Sequence, residues 1–277
     1  MTKPPLTKLL PNLLPNPLPN QLPRRVTLRE VGLRDGLQSF ARVMPTAHKL
    51  EWIGRAYEAG QREIEVGSFV PARLLPQLAD TAELVAFAKT LPGLTVSVLV
   101  PNVKGAQRAM ECEADMMLLP LSASHAHSLA NMRRTPDDVV ADIAAIVAAR
   151  NALGSRTLIE VGMSTAFGCT LQGRVEPSEV LRLLRCVLDA GVDRVGRFDA
   201  CLAGIGGCPH APGASGNVAT EDLVYMFASM GVKTDIDFDA LMALRSQVAH
   251  WLDGETLHGT LWRAGLPRTM RPAGAVA

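Results

Sequence analysis

Short apolar strands alternate with helical patterns along most of this 277-residue chain. The first strand is predicted at Val26–Val31. A later helix opens at Thr135-Pro136-Asp137-Asp138 with a capping residue, a proline in the first turn and two acids. Repeated strand–helix units build a parallel sheet covered by helices. The sequence therefore predicts an α/β fold of the TIM-barrel type.

The alternation breaks late in the chain. A helix that opens at Glu176-Pro177 ends near Ala190, and the next strand is predicted at Phe198–Ala203, so only Gly191–Arg197 lies between them. We count roughly six strand–helix units, whereas a closed barrel of this type has eight. The barrel is predicted to be incomplete, and its unpaired strand edges favour a homo-oligomer in which a second copy covers them.

Composition excludes several classes of function. Lys and Arg number 28 against 27 Asp and Glu, so a net charge of +1 gives no electrostatic case for binding nucleic acid or an anionic membrane. The five cysteines are scattered and form no C-x-x-C pair, which argues against a disulfide framework or a zinc site. This cysteine usage favours a cytoplasmic protein in a reducing compartment.

The first 25 residues are rich in leucine and carry closely spaced prolines. Such spacing prevents a continuous helix, so the segment is neither the apolar region of a signal peptide nor a membrane span. We expect residues 1–25 to form a disordered tail. Residues 26–277 are expected to form one barrel-like domain with a C-terminal helical extension.

Charged residues accompany the first two predicted strands. Arg34-Asp35-Gly36 directly follows the first strand, at the rim where parallel barrels bind ligands. A carboxylate there can hold a divalent cation and a guanidinium can bind a carbonyl or enolate oxygen; the alternative is a pair that only caps a loop. Glu65 lies in an apolar strand, where an unpaired carboxylate is costly. We expect Glu65 to orient Arg34, the alternative being an outward-facing side chain.

The segment Gly204–Asp222 is the densest in chemically useful residues. Cys208 lies between Gly206-Gly207 and Pro209, which places its thiol on a loop that can approach a ligand closely. His210 is placed to affect the ionisation of that thiol. Thr220 is predicted to cap the following helix. The segment favours a reactive loop beside a helix N-terminus over a glycine-rich turn with an inert cysteine.

A second motif, His125-Ala126-His127, is a candidate metal site. On an extended strand the two imidazoles would share a face and could bind a cation. The pair lies in a polar, serine-rich segment at Ser122–Ser128, which favours a solvated loop instead.

Taken together, these motifs resemble the 3-hydroxy-3-methylglutaryl-CoA lyase family of the DRE-TIM metallolyases. The resemblance runs from about Val26 to Pro267 with one gap. Four segments carry it: Val31–Gln38 (VGLRDGLQ), Ile64–Val70 (IEVGSFV), Ser164–Cys169 (STAFGC) and Gly204–Asn217 (GIGGCPHAPGASGN). The last segment is specific enough to indicate the family by itself.

The resemblance implies cleavage of a 3-hydroxyacyl-CoA that bears a tertiary alcohol, giving acetyl-CoA and acetoacetate as in leucine degradation. It implies that Asp35 and Asn217 ligate Mg²⁺ or Mn²⁺, which would acidify and align the alcohol. Arg34, held by Glu65, would stabilise the departing thioester enolate. Cys208 would help to deliver or relay a proton.

The chain departs from this family at one place. The family's other two metal ligands form a His-x-His motif on the seventh strand, and no such motif lies between Gly191 and Phe198. An internal deletion is our hypothesis, and His125-x-His127 does not replace the motif because it belongs to a different loop. The sequence leaves open a working lyase and a catalytically impaired relative that acts as a binding protein or a structural subunit. A third possibility is a related enzyme of the isopropylmalate-synthase type, although the Cys208 loop argues against it.

Overall fold

The computed structural model describes residues 24–195, 198–207 and 216–264. Its strands are β1 (Leu28–Glu30), β2 (Glu63–Ser68), β3 (Thr95–Leu99), β4 (Met116–Ser122), β5 (Leu158–Ser164), β6 (Arg194–Val195) and β7 (Phe198–Ala200). Its helices are α1 (Thr46–Glu58), α2 (Thr81–Ala88), α3 (Val103–Glu111), α4 (His125–Met132), α5 (Pro136–Ala152), α6 (Pro177–Asp189), α7 (Thr220–Ser229), α8 (Phe238–Trp251) and α9 (Thr260–Ala264). The predicted tail lies outside these ranges except for Arg24 and Arg25.

The seven strands of the described ranges form one parallel sheet in the order β6-β5-β4-β3-β2-β1-β7. Helices follow most strands, so each crossover returns the chain to the same end of the sheet. β1 lies inside the sheet, where Glu30 pairs with Ile64 of β2 and Arg29 pairs with Asp199 of β7. The predicted α/β fold of the TIM-barrel type is confirmed.

A buried ion contact shows that the sheet is strongly curled. Arg29 on β1 donates hydrogen bonds to Glu63 on β2 and to Glu160 on β5. Three strands separate β1 from β5, and a flat sheet would hold them about 19 Å apart at the usual strand spacing. Direct contact between their side chains requires the sheet to wrap around an interior that these charged groups occupy.

The two edges of the sheet are joined by one short segment. β6 pairs with β5 through Glu160 and Val161, whereas β7 pairs with β1, yet only residues 196 and 197 separate β6 from β7. The Cα steps from Val195 to Phe198 span at most about 11 Å. The sheet therefore has fewer strands than a full barrel, as predicted, and its two edge strands, β6 and β7, are consecutive in the chain. Among the described strands, β6 and β7 do not pair with each other, so the unpaired edges remain and a homo-oligomer stays a prediction.

Most helix boundaries agree with the sequence pattern, and two local predictions were wrong. Thr135 and Asp138 form the expected capping box at the start of α5. The segment expected as a solvated loop instead begins α4, because the Ser124 side chain caps it by accepting from the backbone N–H of His127. Thr220 does not cap α7; Ala219 occupies that position and the Thr220 hydroxyl is used elsewhere.

The core lies between the sheet and the helices that cover it. Fully buried side chains include Trp52 of α1, Ile64 of β2, Val96 of β3 and Val248 of α8. Within the described ranges, every helix is too short or too polar to cross a bilayer.

Candidate functional site at the carboxyl ends of the strands

The Arg34-Asp35 motif is carried by a tight turn that follows β1. Residues Gly32–Gly36 form one π-helical turn, whose backbone N–H groups bond to the carbonyl of Val31. A Cβ atom on Gly32 would lie 2.6 Å from Glu30 Oε1, and one on Gly36 would lie 2.5 Å from the Ile205 side chain. Both glycines are therefore needed for the turn to pack closely beneath the site.

Glu65 holds Arg34 as expected. Arg34 Nε donates to Glu65 Oε1 at 2.7 Å, and Nη2 lies 3.3 Å from Oε2. Glu65 is fully buried and Arg34 is nearly so. Burial alone would lower the pKa of Arg34, but the nearby charges of Glu65 and Asp35 raise it above its ordinary value. The guanidinium therefore stays charged and fixed in orientation.

Asp35 is the centre of a second set of contacts. Its carboxylate accepts from Gln38 Nε2 at 2.8 Å and from Arg34 Nη1. Asn217 Nδ2 donates to Asp35 Oδ2 at 2.6 Å, although the two residues are far apart in sequence. The structure thus brings four predicted site residues, Arg34, Asp35, Glu65 and Asn217, into one connected group.

Glu30 anchors both halves of this group. One of its oxygens accepts from the backbone N–H of Gly32 at 2.8 Å and of Leu202 at 2.9 Å, and the other accepts from Thr220 Oγ1 at 2.5 Å. Burial raises the pKa of Glu30 to about 7, and the hydrogen bond from Thr220 acts in the opposite direction. A single carboxylate thus fixes the turn that carries Asp35 and both stems of the loop that leads to Asn217.

The stems of that loop are well held. The backbone N–H of Cys201 bonds to the carbonyl of Val218, and the backbone N–H of Ala203 bonds to Glu221 Oε2 at 3.1 Å. Arg245 in turn donates to the other oxygen of Glu221 at 2.8 Å. The predicted catalytic Cys208 and its neighbour His210 lie outside the described residues.

The group opens into a cavity of about 870 Å³. Arg34, Asp35 and Asn217 line it, and Glu160 and Asp199 line it further back along the strands. In the described part of this network, two guanidinium groups, Arg29 and Arg34, face five carboxylates: Asp35, Glu63, Glu65, Glu160 and Asp199. The excess negative charge favours a bound cation or a bound proton.

The His-x-His pair does not form a shared ligand set. His125 and His127 are two positions apart on α4, and side chains at that spacing do not face each other on a helix. His127 is buried, lines the cavity and lies with its Nδ1 atom 2.7 Å from Ser122 Oγ. Within the described residues, no group of three or more His, Cys, Asp or Glu side chains is placed to hold a metal ion.

The donor set fits a hydrated Mg²⁺ or Mn²⁺ to a limited extent. Mg²⁺ is often held by one or two protein oxygens while it keeps several waters. The Asp35 carboxylate supplies one such oxygen, and the surplus of carboxylates attracts a cation. Asn217 directs its NH₂ group toward Asp35, Cys201 and Ile205, so it would have to turn its amide oxygen inward to become a second ligand.

Several cavity residues were not predicted from the sequence, among them Gln38 and Asp199. Gln38 lies three positions after Asp35, and a helical turn there would have predicted their contact. Asp199 follows Phe198 in the short strand that was predicted only as an apolar segment. The register that places Asp199 beside Arg29 has no local sequence signal.

With this geometry in place, similarity to known proteins becomes informative. The sequence model of the HMGL-like family matches residues 25–197, well over half of the chain. The chain belongs to this family. A mitochondrial hydroxymethylglutaryl-CoA lyase of Gallus gallus is 30% identical over 84% of this chain and 95% of its own length. A mitochondrial hydroxymethylglutaryl-CoA lyase of Arabidopsis thaliana is 32% identical over 79% of this chain. The matched part is 58% of the length of that longer protein.

A solved structure shows the same family similarity. An HMG-CoA lyase from Acinetobacter baumannii, in complex with coenzyme A and 3-methylmalate, has a TM-score of 0.76 and 31% identity over 90% of this chain and 98% of its own. The family resemblance drawn from the motifs is confirmed, and this HMGL-like protein is a lyase-type enzyme by descent.

The similarity also bears on the hypothesis of an internal deletion. The alignment with the Gallus gallus protein is 285 positions long and covers 95% of that protein but only 84% of this 277-residue chain. The relative therefore contributes about 50 more residues to the alignment than this chain does. The family match ends at residue 197, between β6 and β7. The difference in length supports the hypothesis of a deletion, and the end of the family match favours a position near residue 197.

Proposed function

We propose that this chain is a carbon–carbon lyase that cleaves 3-hydroxy-3-methylglutaryl-CoA, or a similar 3-hydroxyacyl-CoA, to acetyl-CoA and acetoacetate. The observation that carries the proposal is the contact group of Arg34, Glu65, Asp35 and Asn217 at the mouth of the cavity. The related lyases act on hydroxymethylglutaryl-CoA by name, and one of them binds coenzyme A.

In this proposal each residue has a defined task. Arg34, oriented by Glu65, binds the thioester oxygen and stabilises the enolate that leaves when the C2–C3 bond breaks. Cys208 delivers a proton to the enolate carbon. A Mg²⁺ or Mn²⁺ held by Asp35 and Asn217 would supply Lewis acidity toward the substrate's oxygens.

The absence of the family's His-x-His motif determines the catalytic rate that we expect for this chain. When a general base is lost, activity typically falls by about 10²- to 10⁴-fold. A coupled assay for substrate-dependent acetoacetate with added Mg²⁺ tests the proposal. We expect slow product formation that disappears in Arg34→Met and is reduced in Cys208→Ala. Product no greater than in Arg34→Met would refute the lyase function.

The second candidate is a catalytically impaired relative that binds acyl-CoA or acts as a structural subunit. The joined edge favours it, because a two-residue link replaces the units that would carry the histidines. Isothermal titration with coenzyme A distinguishes the two: binding without product formation supports this candidate, and slow turnover supports the lyase.

The cytosol is the compartment that we propose. Cys112, Cys169, Cys186 and Cys201 are all unpaired thiols, as a reducing compartment would leave them. A cytoplasmic lyase from Rattus norvegicus is 30% identical to the chain. Labelled full-length protein, followed by cell fractionation, tests the assignment.

A further inference from the structure

Asp199 differs from the other carboxylates on the inner face of the sheet. Glu63 and Glu160 accept hydrogen bonds from Arg29, and Glu65 accepts from Arg34. In the described part of the chain, the Asp199 carboxylate forms one ion pair, with Arg29 Nε at 3.6 Å, which is too long for a good hydrogen bond. Its side chain is 41% exposed, and the exposed part faces the cavity.

The surroundings of Asp199 favour a proton on one of the carboxylates. Arg29 of β1 faces it from one side and Arg34 from the turn above, while Glu65 of β2 and Glu160 of β5 repel its negative charge. Met116 of β4 adds no charge. Burial raises the pKa of Asp199 to about 6, the two glutamates act in the same direction, and Arg29 opposes them. Near neutral pH this group can both lose and accept a proton.

We propose that Asp199 is the general base for the substrate's hydroxyl group in this chain, an inference that rests on the proposed lyase function. Asp199 takes the proton from the 3-hydroxyl, and the O–H electron pair forms the new ketone. The electrons of the breaking C2–C3 bond move into the thioester as an enolate at Arg34. C2 then takes a proton from the acid of the proposed lyase reaction, and exchange with solvent restores that acid and Asp199.

His127 is the competing base, because it lines the same cavity. Its Nδ1 atom lies 2.7 Å from the Ser122 hydroxyl, so one ring nitrogen is already engaged. Asp137 of α5 provides a matched control, since it is an exposed aspartate outside the cavity whose carboxylate pairs with Arg182 at 2.7 Å.

The kinetic test compares Asp199→Asn, His127→Gln and Asp137→Asn over about pH 5 to 9 with Mg²⁺ present. In the wild type, kcat should rise with a midpoint near pH 6. Asp199→Asn should lower kcat by about 10²-fold, change KM little and remove this acid limb, while Asp137→Asn behaves as the wild type. The proposal is overturned if Asp199→Asn keeps the limb, or if only His127→Gln loses it.

A binding test decides the question even if the wild type forms no product, which would refute the lyase function. The probes are 3-hydroxy-3-methylglutarate, which carries the hydroxyl but no thioester, and 3-methylglutarate, which lacks the hydroxyl. Carboxyl ¹³C NMR of labelled wild type and Asp199→Asn assigns the Asp199 signal. We expect the hydroxyl compound alone to shift its titration midpoint. Equal shifts with both compounds, or none with either, would overturn the role of Asp199, and circular dichroism confirms that the variant folds.

Discussion

The two sides of the curled sheet differ in what they contribute to the site. On the β1–β2 side, residues 28–68, an arginine, an aspartate and a buried glutamate are fixed by close contacts on rigid elements. At the joined edge, residues 194–200, two short strands are linked by two residues and contribute one partly exposed carboxylate, Asp199. The comparison teaches that a curled sheet with fewer strands than a full barrel can still hold a closely fixed group of charged residues on one side.

The largest effect is expected on the β1–β2 side. Glu65→Ala leaves Arg34 buried without its main partner, and breaking a buried ion pair in this way costs about 3–5 kcal/mol. Urea denaturation followed by circular dichroism measures the free energy of unfolding. Glu51→Ala is the control, because Glu51 forms an exposed ion pair with Arg55 that should contribute less than about 1 kcal/mol. A loss below about 1 kcal/mol in Glu65→Ala would contradict this rigid anchoring.

Glu30 tests whether the two sides are coupled through one carboxylate. Its pKa is raised from 4.5 to about 7 in the folded protein, so the folded state binds the proton more tightly. Stability should therefore fall as pH rises from about 4.5 to about 7, by at most about 3 kcal/mol from this group. Denaturation at several pH values should show a shallower fall in Glu30→Gln. Identical slopes would mean that Glu30 is ionised throughout.

The fold was largely predictable from the sequence because strand and helix periods are local signals. The helix α5 and its capping box depend on neighbouring residues and were predicted correctly. The pairing of Glu65 with Arg34 could also be inferred, since a carboxylate inside an apolar strand needs a cation. Proximity to the first strand made Arg34 the natural partner.

Other features depend on contacts between distant segments and could not be read locally. Thr220 has the chemistry of a helix cap, but its hydroxyl bonds to Glu30, 190 positions earlier in the chain. Asp199 reaches the cavity only because β7 pairs with β1. The short connection between the edge strands β6 and β7 likewise depends on the curl of the whole sheet.

Metal binding tests whether the β1–β2 side alone can still bind a divalent cation. Titration with Mn²⁺, followed by electron paramagnetic resonance, should show weak binding in the wild type. The affinity for Mn²⁺ should fall by at least about tenfold in Asp35→Asn, because this substitution keeps the shape of the side chain but removes its charge. Asp142→Asn should bind as the wild type, since Asp142 pairs with Arg134 instead. Equal affinity in all three proteins would remove Asp35 as a ligand.

The smallest effect is expected from lengthening the joined edge. Strand pairing with β5 and β1 and the Arg29 contacts with Glu63 and Glu160 should hold the sheet curled without help from the link. Inserting Gly-Ser-Gly-Ser before Phe198 should then cost about 1 kcal/mol, because loop entropy grows slowly with length. The same insertion after the exposed Gly154 is the control. If the edge insertion alone cost several times more, the two-residue link would itself hold the sheet closed, and the two sides would not be independent.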